Sequence, residues 1–190
     1  AITVDTVAPT VAITDDATTV ANGDVTFTFT FSEDVTGFDT SKITASGGTK
    51  GTFTATSATV YTLVVTPAAT STADISLTTD TTGVTDGAGN VATAPATYTQ
   101  AVDTVAPTVA ITTDDAALNT GDTAGITFTF SEVPTGFVEG DVTVTGGTLS
   151  GFAVDGSDAK VYTATFTPAA GSTVTPSITI AAGAYTDAAG

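Results

Sequence analysis

Three acidic positions occur twice in the chain, each time with the same neighbours. Asp5 lies in VDTVAPT, and Asp103 in the second copy of that phrase. Glu33 lies in TFSED and Glu132 in TFSEV; Asp86 lies in TDGAGN, which ends at Asn90, and Asp187 in TDAAG. Carboxylates gathered in one place repel each other unless a proton or a cation joins them. Calcium is the hard cation such a set suits, since it takes 6–8 oxygen ligands from carboxylates, carbonyls and water. Magnesium demands a tighter octahedron and keeps more water. The DGAGN spacing is not that of an EF-hand loop, which needs a longer series of ligands ending in Glu.

Other site chemistry is scarce. The 190 residues hold 20 acids against 3 lysines, with no histidine and no cysteine, and the net charge is −17. A chain without a basic patch is not built to hold nucleic-acid phosphates, and docking on an anionic membrane is disfavoured for the same reason. Without His or Cys the usual general base, the commonest zinc ligand and the thiol nucleophile are missing. The serines lack a base and no cleft for paired carboxylates is advertised, so an enzyme is not expected. No apolar run reaches the length of a transmembrane helix, and no signal peptide opens the chain; a secreted origin would make this a segment of a longer or processed protein.

What must position the acids is a repeat. VDTVAPTVAIT occurs at Val4 to Thr14 and at Val102 to Thr112; FTFSEDVTGF (Phe29 to Phe38) answers FTFSEVPTGF (Phe128 to Phe137); YTLVVTPAA (Tyr61 to Ala69) answers YTATFTPAA (Tyr162 to Ala170). The chain therefore reads as two domains, residues 1–101 and 102–190. Threonine supplies 48 residues, and branching at Cβ suits Thr and Val to a pleated strand. Phe27, Phe29 and Phe31 alternate with Thr26, Thr28 and Thr30, which buries one face and wets the other. In the first copy the strands A to G are expected at residues 10–14, 25–31, 42–45, 51–56, 59–66, 75–79 and 96–102, with SGGTKG around Lys50 as a hairpin turn and almost no helix. Seven short strands in about a hundred residues define an all-β, tandem immunoglobulin-like β-sandwich without the Cys and Trp pins of antibody domains.

The second copy stops at Gly190 with no counterpart of residues 96–102. Either the chain continues, or a neighbouring subunit supplies the strand, because an open sandwich exposes edge backbone.

In an up-and-down tracing the turns after strands B and F return to the end where the chain enters the domain. Asp5, Glu33 and Asp86, with Asn90, then converge in the first copy, and Asp103, Glu132 and Asp187 in the second. The turn after strand A lies at the opposite end and adds Asp15, Asp16 and Asp24 to the joint between copies. A calcium ion there, with a dissociation constant on the order of 0.1–1 mM or tighter, would convert a hinge into a rod, and Pro9 and Pro107 restrict the linker further. The plain alternative is that Asp and Asn are ordinary turn residues.

The phrases VDTVAPT, TFTFSE, TPAAT and TPAAG, TDGAGN and TDAAG resemble the bacterial immunoglobulin-like repeats of very large surface adhesins and biofilm-associated proteins, including those of the RTX type. The resemblance covers essentially the whole chain, twice. It implies an exported extender or stalk module on the bacterial cell surface with calcium at domain junctions, carried by Asp5 and Asp103, Glu33 and Glu132, Asp86 and Asp187. Val133 stands where the first copy has Asp34, so Asp34 is not carried over. The expected partners are neighbouring repeats or subunits, with the adhesion ligand unknown. The rival reading is a subunit of an extracellular filament or surface layer assembled by strand complementation. Lysine–asparagine cross-links are not expected, because none of Lys42, Lys50 and Lys160 recurs in the other copy.

Overall fold

The computed structural model describes residues 4–94 and 97–190. The chain folds as two units, each compact in itself, with the main break between Val105 and Ala106.

Among the described residues the first unit has seven strands: β1 (Val11–Asp15), β2 (Val25–Phe31), β3 (Ile43–Ser46), β4 (Gly48–Ala55), β5 (Val60–Pro67), β6 (Ile75–Thr79) and β7 (Tyr98–Gln100). They form two antiparallel sheets, ordered β1-β2-β5-β4 and β3-β6-β7. The alternation of Phe and Thr dictates the inner face of β2: Val25, Phe27, Phe29 and Phe31 are buried, and the threonines between them are partly or fully exposed. In register, Val25, Phe27 and Phe29 lie opposite Val65, Leu63 and Tyr61 of β5. The second sheet closes the core with Ile43, Ile75 and Leu77. Burying these side chains between two antiparallel sheets makes the unit a sandwich.

One ring binds the core together. Phe38 leaves the loop after β2 and meets Phe29, Phe31 and Tyr61 with ring centroids 5.4, 5.0 and 5.1 Å apart. In the second unit Phe137 repeats the arrangement against Phe128, Phe130 and Tyr162 at 5.9, 4.9 and 5.1 Å.

Strand positions agree with the expected ones to within a few residues, and the differences have local causes. Lys42 belongs to a single 3₁₀ turn, Thr40–Lys42, which Asp39 caps by accepting the Ser41 N–H at 2.7 Å. SGGTKG is not a hairpin turn, because β3 pairs with β6 and β4 with β5. Gly47, at φ +76°, turns the chain from one sheet to the other, and a Cβ there would run into the Asp74 carbonyl. Lys50 lies within β4, and its ammonium donates to the carbonyls of Thr40 (2.8 Å) and Ile43 (2.7 Å). The expected start of the last strand at Ala96 lies outside the described residues.

The second unit contains β8 (Val109–Thr113), β9 (Ala124–Phe130), β10 (Val142–Thr145), β11 (Gly147–Val154), β12 (Val161–Pro168) and β13 (Ser177–Ile180). Its sheets are ordered β8-β9-β12-β11 and β10-β13.

Candidate functional site: two carboxylate clusters

In the first unit the segment before β1, the turn after β2 and the turn after β6 come together by backbone pairing. Ser32 exchanges bonds with Thr10: its N–H donates to the Thr10 carbonyl at 2.9 Å, and its Oγ accepts the Thr10 N–H at 3.0 Å. Thr36 and Thr85 exchange N–H to carbonyl bonds of 2.9 and 3.1 Å, and the Thr93 N–H donates to the Pro9 carbonyl at 2.8 Å. These bonds fix the segments carrying Asp5, Glu33 and Asp86. The three residues each bring a carboxylate oxygen within 4.8 Å of the other two.

The three carboxylates sit in different surroundings. Asp5 is exposed, and its Oδ1 accepts the Val7 N–H at 3.0 Å. Glu33 is half-buried, and desolvation, then the charges of Asp5 and Asp86, raise its pKa above the ordinary glutamate value. Asp86 is buried, and its Oδ1 accepts the N–H groups of Ala88 at 2.8 Å and Asn90 at 2.9 Å. The Asn90 side-chain amide donates to Asp86 Oδ2 at 2.7 Å and to the Asp5 carbonyl at 3.3 Å. The Asn90 amide, first, and these backbone donors lower the Asp86 pKa against the cost of burial. One carboxylate is thus favoured in its charged form, while its neighbour is pushed toward protonation by desolvation first and by the adjoining charges second. An all-oxygen set of this kind fits a hard divalent cation: each carboxylate retains an oxygen with acceptor capacity beyond the bonds described, Oδ2 in the case of Asp86.

The second copy repeats the geometry. Asp103, Glu132 and Asp187 also bring carboxylate oxygens within 4.8 Å of one another, with Asp187 buried and the other two half-buried. Ser131 exchanges bonds with Thr108, both at 2.9 Å, and Thr135 with Thr186 at 2.7 and 3.1 Å, as in the first copy. Asp187 Oδ1 accepts the Gly190 N–H at 2.9 Å.

The remaining candidates accept or donate bonds within the first unit. Asp15 accepts the Ala17 N–H at 3.0 Å and the Tyr98 hydroxyl at 3.0 Å. Asp16 accepts the Thr26 N–H at 2.8 Å, and Asp24 the Thr66 hydroxyl at 2.7 Å. Asn90 faces the first cluster through its amide nitrogen, as the residue that orients Asp86. Reasoning from sequence did not single out Ser32 and Ser131, whose hydroxyls fix the approach of the leading segment; the recurring SE dipeptide was the available signal.

The fold and the paired clusters define a class: tandem β-sandwich repeats whose sheets, A-B-E-D and C-F-G in strand letters, follow the constant-type immunoglobulin order in the first unit. The bacterial Ig-like domain family matches residues 5–102 and again 103–190, and the chain belongs to that family. No curated protein matches the chain. Among the described residues, no helix is long and apolar enough to cross a membrane.

Proposed function

We propose that the chain is a structural extender of a bacterial cell-surface adhesin, exported and non-enzymatic, and stiffened by calcium at the start of each repeat. The observation that carries the reading is the duplicated cluster: the same three carboxylate positions, 98 to 101 residues apart, gather twice on the same three segments. Asp5 and Asp103 stand on the segment that leads into each repeat, and the other two acids stand on that repeat's own turns. An ion shared among them ties the leading segment to the sandwich that follows. In a tandem array that segment is the linker, so the ion would convert a hinge into a rod.

The test is thermal unfolding in excess calcium and in chelator, with small-angle scattering on the same samples. Calcium bound only to the folded state at about a hundred times its dissociation constant adds about 2.7 kcal/mol, several degrees for domains of this size. A calcium-dependent rise in Tm together with a longer scattering profile supports the stiffened array. An unchanged melt removes calcium and leaves the acids as turn residues.

A further inference from the structure

The threonine of the repeated VDT phrase has a task separate from that of the acid beside it. Thr104 follows Asp103, and its hydroxyl is seated in the turn after β5: Oγ1 accepts the Ser71 N–H at 2.9 Å and donates to the Ala68 carbonyl at 2.8 Å. The Thr104 N–H donates to the Ser71 carbonyl at 2.9 Å. Such a seat requires a side chain that donates and accepts through one atom, as a hydroxyl does. The turn is itself held in shape. The Ala68 N–H donates to the Gly47 carbonyl at 3.0 Å, and Ser71 Oγ accepts the Ala73 N–H at 3.1 Å. Thr70 within it has φ +54°, in the left-handed region, where Gly171 stands in the second copy at φ +68°. A branched residue keeps that conformation only where its surroundings over-determine it.

The residues just before Thr104 are bound to the first sandwich as well. Ala21 donates its N–H to the Ala101 carbonyl and accepts the Asp103 N–H on its own carbonyl, both at 2.9 Å. Val102, between those two residues, is buried in the first core. Gln100 is buried too, and its side-chain amide donates to the carbonyls of Thr19 and Ala101. The main break between the units comes only after Val105.

We infer that Thr104 is a latch: its hydroxyl, seated in the turn at Ala68 and Ser71, keeps Val102, Asp103 and Thr104 part of the first sandwich with or without a metal ion, so the flexible part of the linker begins after Thr104. The latch stands without calcium. Only its consequence rests on the calcium reading. Asp103 would meet the ion from a segment already fixed to the repeat before it, so the ion would fasten a folded unit and not a loose tether. Thr104 is then a positioning residue, acting on Asp103 through the backbone.

Backbone order parameters of the intact chain, measured by NMR relaxation in chelator, test the latch. The Asp103 and Thr104 amides are expected at the level of rigid backbone, about 0.85, with lower values beginning beyond Thr104. Thr104→Val keeps the shape of the side chain and removes the hydroxyl. It should lower both order parameters and speed exchange of the Ser71 amide by about tenfold, the scale of one lost hydrogen bond, while β2 and β5 keep their protection. Thr104→Ser, which retains the hydroxyl, should behave as the unaltered chain. Asp103 and Thr104 amides as mobile as that of Ala106 would overturn the latch, and so would a Thr104→Val chain with an equally ordered linker. If Thr104→Val unfolds the first unit, the unaltered chain and Thr104→Ser decide between these outcomes. Calcium titration in an Asp86→Asn background tests the consequence: Thr104→Val should bind several-fold more weakly at the second cluster, and equal affinities would overturn that consequence. Absence of calcium binding would overturn the calcium reading, while the order parameters still judge the latch.

Discussion

Asn90 holds the Asp86 carboxylate from both sides: its backbone N–H donates to Oδ1 at 2.9 Å and its side-chain amide to Oδ2 at 2.7 Å. The same amide reaches the Asp5 carbonyl at 3.3 Å, so one residue orients one candidate ligand and tethers the segment bearing another. Replacing Asn90 with Ala should weaken calcium binding at the first cluster on the order of 10-fold, the scale found when a residue orienting a metal ligand is lost. The second cluster should be unaffected. Isothermal titration with the Asp187→Asn chain as background separates the two.

The pH dependence of the metal-free chain follows from two opposite shifts. Asp86 has a folded pKa below its ordinary value, so the stability it contributes is present above the unfolded pKa of about 3.9 and is lost as pH falls through the lower folded value. Glu33 has a folded pKa above its ordinary value, so its contribution is present below the unfolded pKa of about 4.3 and is lost as pH rises through the folded value. Removing the neighbouring charge by Asp5→Asn should therefore lower the Glu33 pKa and raise the Tm of the chelated chain at pH 7. In calcium the same substitution should shrink the calcium-induced rise. Tm lowered in both conditions would contradict the electrostatic account.

The core ring makes a prediction in each repeat. Phe38 is buried against Phe29, Phe31, Phe53 and Tyr61. Phe38→Ala should destabilise the first repeat by about 3–5 kcal/mol, and Phe137→Ala should do the same to the second. Urea denaturation read by the tyrosine signal of each unit checks both values.

The turn that delivers this ring distinguishes the copies. Gly37 and Gly136 have φ of +83° and +84°, so alanine is strained at either position. A Cβ on Gly37 would run into the Gly83 carbonyl, whereas the space around Gly136 is open. Gly136→Ala should cost about 1–2 kcal/mol, the penalty of left-handed backbone alone, and Gly37→Ala distinctly more. Equal losses in the two variants would show that the Gly83 carbonyl yields freely.

The strands and their inward faces were legible before folding was considered. In VTFTFTF the period-2 alternation leaves one solution, since a shift by one residue would turn three phenylalanines to water. The repeat pointed to two units, and the return of successive antiparallel strands led to the expectation of Asp5, Glu33 and Asp86 at one end. The bonds that each acid accepts were settled only in the folded chain. Asp15, Asp16 and Asp24 read like Asp5 in sequence, as short carboxylates in turns, but the Tyr98 hydroxyl, the Thr26 N–H and the Thr66 hydroxyl engage them. Those partners lie 83, 10 and 42 residues away along the chain. The turn at Gly47 was equally hidden: SGGTKG has the residues of a hairpin, and only the pairing of β3 with β6 and of β4 with β5 makes it a crossing between sheets. Local alternation is set by solvent acting on each strand, so it is written in neighbouring residues. Hydrogen-bond partners and sheet membership are set by chain segments that meet only after folding.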